Sequence, residues 1–155
     1  MKLGIIGCGN MGSALARGII SKRILPFNHI FISDRDPSKV KELYKKFGIS
    51  VASNQDVTKK CDFVIIAVKP QEAGTLISSI AAELNTHKHL ISIMAGVTIS
   101  KIEFFLRKKI AVTRAMPNLA ALAGKSITCL SHNKMVKDKE AVQKIFSAIG
   151  TTLEI

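Results

Sequence analysis

Three glycines near the start of the chain constrain its fold more than any other feature, because they form the pattern G-x-G-x-x-G over residues 7–12. The mainly apolar segment 2–6 before them predicts a short buried strand, and the helical spacing of apolar residues over 10–21 predicts a helix. A strand, a glycine-rich turn and a helix in this order form the first unit of a parallel α/β fold. The sequence therefore predicts a sheet whose strands alternate with helices.

Each glycine of this pattern has a specific role in folds of this kind. Gly7 allows a tight turn, Gly9 lets the backbone approach a pyrophosphate, and Gly12 allows the helix to pack closely on the strand. Amide groups at the start of a helix bind anions, and an acidic residue, Asp34, follows 22 positions after Gly12. The combination predicts a dinucleotide-binding loop, and an ordinary structural turn is the alternative.

The rest of the chain continues the alternation of strands and helices. Strands are predicted at 29–33, 50–52, 63–68, 89–94, 110–114, 126–130 and from 151, and helices at 37–47, from 53 to about 60, and at 70–84, 100–108 and 135–149. Ser100 and Glu103 are expected to form a capping box. The segment 63–68 is apolar at every position, which is typical of a parallel strand covered on both faces. We therefore predict a doubly wound, Rossmann-type α/β fold, with a mostly parallel sheet and helices on both faces, as one domain over residues 1–155.

The positive charge of the chain is spread evenly. Residues 1–77 hold 12 basic and 6 acidic side chains, and residues 78–155 hold 11 and 5, within a net charge of +12. An even distribution argues against a nucleic-acid-binding tail. The excess of positive charge would attract an anionic cofactor. The longest apolar run, 63–68, is too short to span a membrane. We expect a cytoplasmic protein with neither a membrane nor a nucleic acid as partner.

The three cysteines of the chain are widely spaced and form no C-x-x-C pattern. This spacing argues against a disulfide framework and against a metal site. Free thiols are the prediction for Cys8, Cys61 and Cys129.

Asp34 and Arg35 together determine the choice of cofactor. A carboxylate at the end of the second strand binds the ribose 2′-hydroxyl of NAD, whereas a guanidinium pairs with the 2′-phosphate of NADP. Asp34 could instead cap the turn before Pro37, and Arg35 could be a solvated loop residue. With Lys39 nearby, the sequence favours NADP over NAD.

Four strings carry a resemblance to a known family: IIGCGNMG at 5–12, AVKPQ at 67–71, ISIMAGVTISKIE at 91–103 and RAMPN at 114–118. Over essentially its whole length the chain resembles the nucleotide-binding half of pyrroline-5-carboxylate reductases. The resemblance implies an NAD(P)H-dependent oxidoreductase that reduces the cyclic imine 1-pyrroline-5-carboxylate to proline, the final step of proline biosynthesis. A hydroxyacid dehydrogenase on the same fold fits the AVKPQ and MPN strings less well.

The motifs and the resemblance together predict the cofactor-binding residues. They are Ile6, Gly7, Cys8, Gly9, Asn10, Met11, Gly12, Asp34, Arg35, Asn54, Ala67, Val68, Lys69, Pro70, Met94, Ala95, Gly96 and Asn118. Structural alternatives are open for Lys69 as a solvent-exposed residue, for Asn54 as a cap beside Ser53, and for Asn118 as the N-cap of 119–123. Leu119-Ala120 stand where the family has Thr-Pro. This departure affects the expected geometry of substrate binding more than that of cofactor binding.

No residue of this chain is predicted to be catalytic. The four histidines, at 29, 87, 89 and 132, fall in loops or at element edges and are expected at the surface. The resemblance implies that the all-helical second domain of the family is absent, that this chain alone is incomplete as an enzyme, and that a homodimer or larger assembly requires that domain. A dinucleotide-binding module without catalysis is the alternative function.

Overall fold

A computed structural model describes residues 1–155 as a single sheet with helices on both sides. Its strands are β1 (Leu3–Ile6), β2 (Ile30–Ser33), β3 (Ser50–Val51), β4 (Phe63–Ile66), β5 (His89–Ser92), β6 (Ala111–Met116), β7 (Ser126–His132) and β8 (Gly150–Glu154). Its α-helices are α1 (Asn10–Ser21), α2 (Pro37–Phe47), α3 (Asn54–Lys60), α4 (Ala73–Ile80), α5 (Ile99–Leu106) and α6 (Lys139–Phe146). Short 3₁₀ turns cover Phe27–His29, Pro70–Glu72, Ala81–Glu83 and Leu119–Ala123. None of the helices is long and apolar enough to cross a membrane.

The strands lie in the order β3-β2-β1-β4-β5-β6-β7-β8. All neighbouring strands are parallel except β6 and β7, which pair antiparallel through Thr113 and His132. Leu3 of β1 pairs with Ile30 on one side and with Phe63 on the other, so the chain reverses its direction of winding at β1. The predicted doubly wound, mostly parallel fold is confirmed.

The core consists of two apolar clusters, one on each face of the sheet. Side chains alternate between faces along a strand, and β4 illustrates the division, since Ile65 packs with α1 and α6 residues while Val64 and Ile66 pack with α3, α4 and α5 residues. All three side chains have no exposed surface. The expectation that this strand is covered on both faces is confirmed.

Local signals explain several helix ends. Asp36 caps α2 by accepting from the amide of Ser38, Pro37 occupies the first turn, and Gly48 ends the helix at a φ of +69°. The Ser53 hydroxyl accepts from the amide of Asp56 at 3.1 Å and caps α3. These ends lie where the sequence places them.

The predicted capping box at Ser100 and Glu103 is wrong. The helix α5 begins one residue earlier, because the hydroxyl of Thr98 accepts from the amide of Lys101 and is its N-cap. Glu103 instead accepts a hydrogen bond from the side chain of Asn133 at 2.9 Å. The Glu103 carboxylate therefore bonds to a residue distant in sequence rather than to the start of its own helix.

Two further helix predictions differ from the structure. The segment 70–84 is not one helix, since α4 covers only its middle and a 3₁₀ turn lies at each end. The last helix begins at Lys139 rather than at Met135, because Asp138 is its N-cap and the Asn133 side chain holds the amide of Met135 in the preceding turn.

The surface location expected for two of the histidines is also wrong. His89 is buried at the start of β5, where its Nε2 lies 2.7 Å from the hydroxyl of Thr113. The same hydroxyl lies 2.7 Å from Nδ1 of His132, whose side chain is only 6% exposed. Burial lowers the pKa of His89 to about 4 and lowers the pKa of His132.

Candidate dinucleotide-binding site

A cavity of about 480 Å³ opens at the carboxyl ends of β1, β2 and β4. This is the edge at which the strand order reverses, where doubly wound sheets bind ligands. Of the residues predicted from the sequence, the cavity is lined by Ile6, Gly7, Gly9, Asp34, Arg35, Asn54, Ala67, Val68 and Lys69. The fold therefore brings together residues from four separate segments of the sequence.

The three glycines of the loop differ in why the fold accepts them. Gly7 has a φ of +102°, and a Cβ atom there would lie 2.5 Å from the carbonyl oxygen of Ala67. A Cβ atom at Gly12 would collide with the carbonyl oxygen of Gly7. Gly9 has an ordinary φ of −69°, and a Cβ atom there would meet no atom within 4 Å. Nothing inside the protein requires glycine at position 9, so the space beside it is free for a ligand.

The start of α1 offers backbone donors to that space. The amides of Gly9, Asn10, Met11 and Gly12 donate to no acceptor in the protein, and no side chain caps the helix. The positive end of the helix dipole adds to their attraction for an anion. Unpaired amides beside an open glycine fit the pyrophosphate of a dinucleotide.

Asp34 holds the loop in place. One carboxylate oxygen accepts from the amide of Cys8 at 2.7 Å, and the other accepts from the amide of Asp36 at 2.8 Å. The turn contact anticipated from the sequence is therefore present, and a brace to the glycine loop accompanies it. A carboxylate has more acceptor positions than these two bonds use, so Asp34 can also accept from a ribose hydroxyl. That contact stays a prediction.

Arg35 lies at the mouth of the cavity. Its side chain is 76% exposed, and Nη1 lies 2.5 Å from Oε1 of Glu72, the last residue of the 3₁₀ turn after β4. The other oxygen of Glu72 accepts from the amide of Lys69 at 3.3 Å. The side chain of Lys39 also lines the cavity. The site thus carries cations on both sides of the cleft and an ion pair across its mouth.

Sequence reasoning missed several lining residues of the 3₁₀ turn and of α4. They are Gln71, Glu72, Thr75, Leu76 and Ser79. Their position directly after β4, at the carboxyl edge of the sheet, is the signal that could have identified them.

Several alternatives left open for the predicted residues are now described by the structure. Asn54 is the first residue of α3 and lines the cavity, while Ser53 caps the helix. Lys69 is exposed and also lines the cavity. Asn118 caps the turn Leu119–Ala123, since its Oδ1 accepts from the amide of Ala120 at 3.1 Å. Its side-chain NH₂ group donates to no protein acceptor.

The remaining predicted residues lie outside this cavity. Met94, Ala95 and Gly96 follow β5, where Met94 is buried and Gly96 is exposed with a φ of +70°. Pro70 begins the 3₁₀ turn after β4, and Met11 lies in the first turn of α1. Their roles in cofactor binding stay predictions.

A second cavity of about 550 Å³ lies on the other side of the glycine loop. It contains the predicted residues Cys8 and Asn10 and shares Gly9 with the first cavity. Burial raises the pKa of the Cys8 thiol to about 12, so the thiol is neutral at pH 7 and is a poor nucleophile. No group of three or more His, Cys, Asp and Glu side chains is arranged to hold a metal ion.

Known pyrroline-5-carboxylate reductases are similar to this chain along its length. The protein from Methanosarcina acetivorans is 37% identical over 157 residues, covering 99% of this chain and 58% of the relative. The protein from Escherichia coli K12 is 38% identical over 153 residues, covering 96% and 56%. The chain therefore spans a little over half the length of the curated relatives it matches.

Solved structures agree with this similarity. A pyrroline-5-carboxylate reductase from Coxiella burnetii matches with a TM-score of 0.96 at 28% identity, covering 99% of this chain and 58% of that one. The Plasmodium falciparum pyrroline carboxylate reductase with NADP bound matches with a TM-score of 0.89 at 34% identity, covering 100% and 57%. The resemblance drawn from the four sequence strings is confirmed.

A family model described as NADP oxidoreductase, coenzyme F420-dependent, matches residues 2–96. That range contains the glycine loop, Asp34, Arg35 and the turn after β4, which together form the cavity. Because the match covers more than half of the sequence, the chain belongs to the NADP oxidoreductase, coenzyme F420-dependent, family.

Proposed function

We propose that this chain is the cofactor-binding half of a pyrroline-5-carboxylate reductase, which uses NAD(P)H to reduce 1-pyrroline-5-carboxylate to proline in the cytoplasm. The observation that carries the proposal is the open loop, with unpaired amides and free space beside Gly9. It lies in a fold that matches such a reductase with a TM-score of 0.96. The reaction completes proline biosynthesis.

The residues of this chain bind and orient the cofactor. The amides of residues 9–12 hold the pyrophosphate, and Asp34 keeps the loop that presents them in position through its bond to Cys8. Val68 and Pro70 would supply an apolar wall for the nicotinamide, and Gly96, which is exposed after β5, would leave room for the ring. When bound, the cofactor supplies the hydride.

We propose NADP(H) as the preferred cofactor. Arg35 and Lys39 both line the cavity and can neutralise a 2′-phosphate by charge-assisted hydrogen bonds. The similarity to the Plasmodium falciparum protein with NADP bound also supports this choice.

Substrate binding requires more than these residues. A reductase must hold the imine carbon against the nicotinamide, and such positioning lowers a barrier by roughly 7 to 11 kcal/mol. This chain supplies one wall, with Leu119 and Ala120 in place of Thr-Pro. We propose that an all-helical part, as implied by the family resemblance, binds the substrate and forms the dimer.

Two measurements test the proposal. Isothermal titration with NADPH is expected to show binding by the 155-residue chain, and a steady-state assay with 1-pyrroline-5-carboxylate is expected to show no turnover by it alone. Adding a separately expressed helical domain from a complete relative should produce NADPH oxidation. Absence of NADPH binding would contradict the assignment, and robust turnover by the chain alone would contradict its incompleteness.

A dinucleotide-binding module without catalysis is the second candidate. Leu119 and Ala120 stand where the family has Thr-Pro, and this departure favours a loss of substrate binding. NADPH binding without turnover, even after the helical domain is added, would support this candidate.

A further inference from the structure

Glu72 is the one carboxylate that faces Arg35 across the mouth of the cavity. Arg35 follows β2 and Glu72 follows β4, so the ion pair joins the two sides of the cleft above β1. The Glu72 side chain is 32% exposed, less than half as much as that of Arg35 at 76%. Its second oxygen accepts from the amide of Lys69, which fixes the carboxylate to the turn. The more anchored partner of the pair is therefore the acid.

The charge that lines the cavity is nearly balanced, in contrast to that of the whole chain. Three cations, Arg35, Lys39 and Lys69, face two carboxylates, Asp34 and Glu72. Asp34 is engaged with two backbone amides, whereas Glu72 is directed at the guanidinium. Glu72 is thus the acid whose removal most changes the electrostatics of the cation cluster.

We propose that Glu72 is a specificity-determining residue that lowers the preference for 2′-phosphorylated dinucleotides by holding Arg35 in an ion pair. The inference rests on the proposed function, since it requires that the cavity bind NAD(P). A 2′-phosphate must displace the carboxylate from the guanidinium before it can pair with Arg35 itself. A nucleotide with a 2′-hydroxyl has no need of that cation, so its affinity does not depend on the pair.

The Glu72→Gln variant isolates this effect. Glutamine retains an acceptor oxygen for the Lys69 amide, so the turn is kept while the charge is removed. We expect the Kd for NADP⁺ to fall about two- to fivefold, the range given by a partly exposed ion pair. The Kd for NAD⁺ should stay within about twofold. Glu140→Gln, an exposed residue in the first turn of α6, is the matched control for loss of one negative charge.

Isothermal titration of NADP⁺ and NAD⁺ against the parent chain, both single variants, Arg35→Ala and the Arg35→Ala/Glu72→Gln double variant separates the outcomes. A gain for NADP⁺ that is larger with Arg35 present than without it supports the inference. An equal gain in both backgrounds, an equal change for both nucleotides, or a weaker NADP⁺ affinity in Glu72→Gln overturns it. Failure of the parent chain to bind either nucleotide overturns the proposed function as well.

Discussion

Two turns at the carboxyl edge of the sheet, one after β1 and one after β6, are built in opposite ways. The first turn, residues 7–12, leaves its amides unpaired and has open space at Gly9. In the second, residues 117–124, the Asn118 side chain accepts from one amide, its own amide donates to Ser126, and Leu119 and Leu122 are exposed. The first turn presents backbone donors for an anion, whereas the second presents apolar surface. The contrast supports the proposal that this chain binds the cofactor by itself, while a further surface completes the proposed substrate site.

Filling the open space at Gly9 in the first turn should have the largest effect. Gly9→Val places a branched side chain in the proposed path of the pyrophosphate, and we expect no detectable NADPH binding by isothermal titration. Gly9→Thr has the same shape and is about as good an N-cap as glycine, so it should abolish binding while thermal unfolding stays close to that of the parent. Gly12→Ala should instead destabilise the fold through its collision with Gly7. Parental affinity in both Gly9 variants would contradict the loop assignment.

Acid should weaken the packing of β5 against β6, where His89 is buried. Burial lowers the pKa of His89 from 6.5 to about 4, so between these pH values the unfolded chain binds more protons than the folded one. Stability is therefore fully present above pH 6.5 and falls as the pH is lowered towards 4, by about 3 kcal/mol. Urea unfolding at a series of pH values measures this slope, and His89→Gln should flatten it. The exposed His87→Gln variant is the control, and an equal slope in all three proteins would refute the assignment.

Substitution of Arg35 tests whether the cavity beside the first turn also determines the choice between NADP and NAD. Arg35→Ala removes one charge-assisted partner of the 2′-phosphate, and because that partner is already shared with Glu72, we expect about a tenfold loss for NADPH. The affinity for NADH should stay within about twofold. Competition titrations with both nucleotides measure the difference, and an equal loss for both would assign Arg35 a structural role.

The smallest expected effects concern Asn118 in the second turn. Asn118→Ala removes the cap of the turn and should cost about 1 kcal/mol of unfolding free energy. Asn118→Asp keeps the acceptor but loses the unpaired NH₂ group, so stability should be retained while NADPH affinity falls about fivefold, the loss expected for one hydrogen bond. Calorimetry and titration of both variants separate the two roles. Parental affinity in Asn118→Asp would leave this residue as a cap alone.

Sequence reasoning was most accurate where a local signal had no competitor. Pro37 lies at the start of α2 and Gly48 at its end, as predicted. The restricted φ of proline and the left-handed conformation of glycine are properties of the residues themselves. Glu103 was misassigned because its partner, Asn133, is 30 positions away in sequence. His89 is predicted at the surface because it begins a strand. Its burial depends on the contact with the Thr113 hydroxyl on the neighbouring strand, which the local sequence does not indicate.

The candidate site shows the same difference between local and long-range signals. The glycine pattern, Asp34 and Arg35 could be identified because their spacing follows from the first βαβ unit. The contact between Asp34 and the Cys8 amide, and the pairing of Arg35 with Glu72, depend on how neighbouring strands align in space. No pattern of adjacent residues encodes such contacts, so they required the structure.

The open space at Gly9 separates the fate of the folded chain from its ability to bind. A Gly9→Thr protein would pass cellular quality control and accumulate to normal levels, because a Cβ atom at this position meets no atom of the fold within 4 Å. A Gly12→Ala protein would be recognised as misfolded and degraded, since small losses of stability change abundance several-fold. Substitutions at two glycines of one motif would therefore have different consequences: at position 9 an abundant protein that does not bind the dinucleotide, and at position 12 a depleted one.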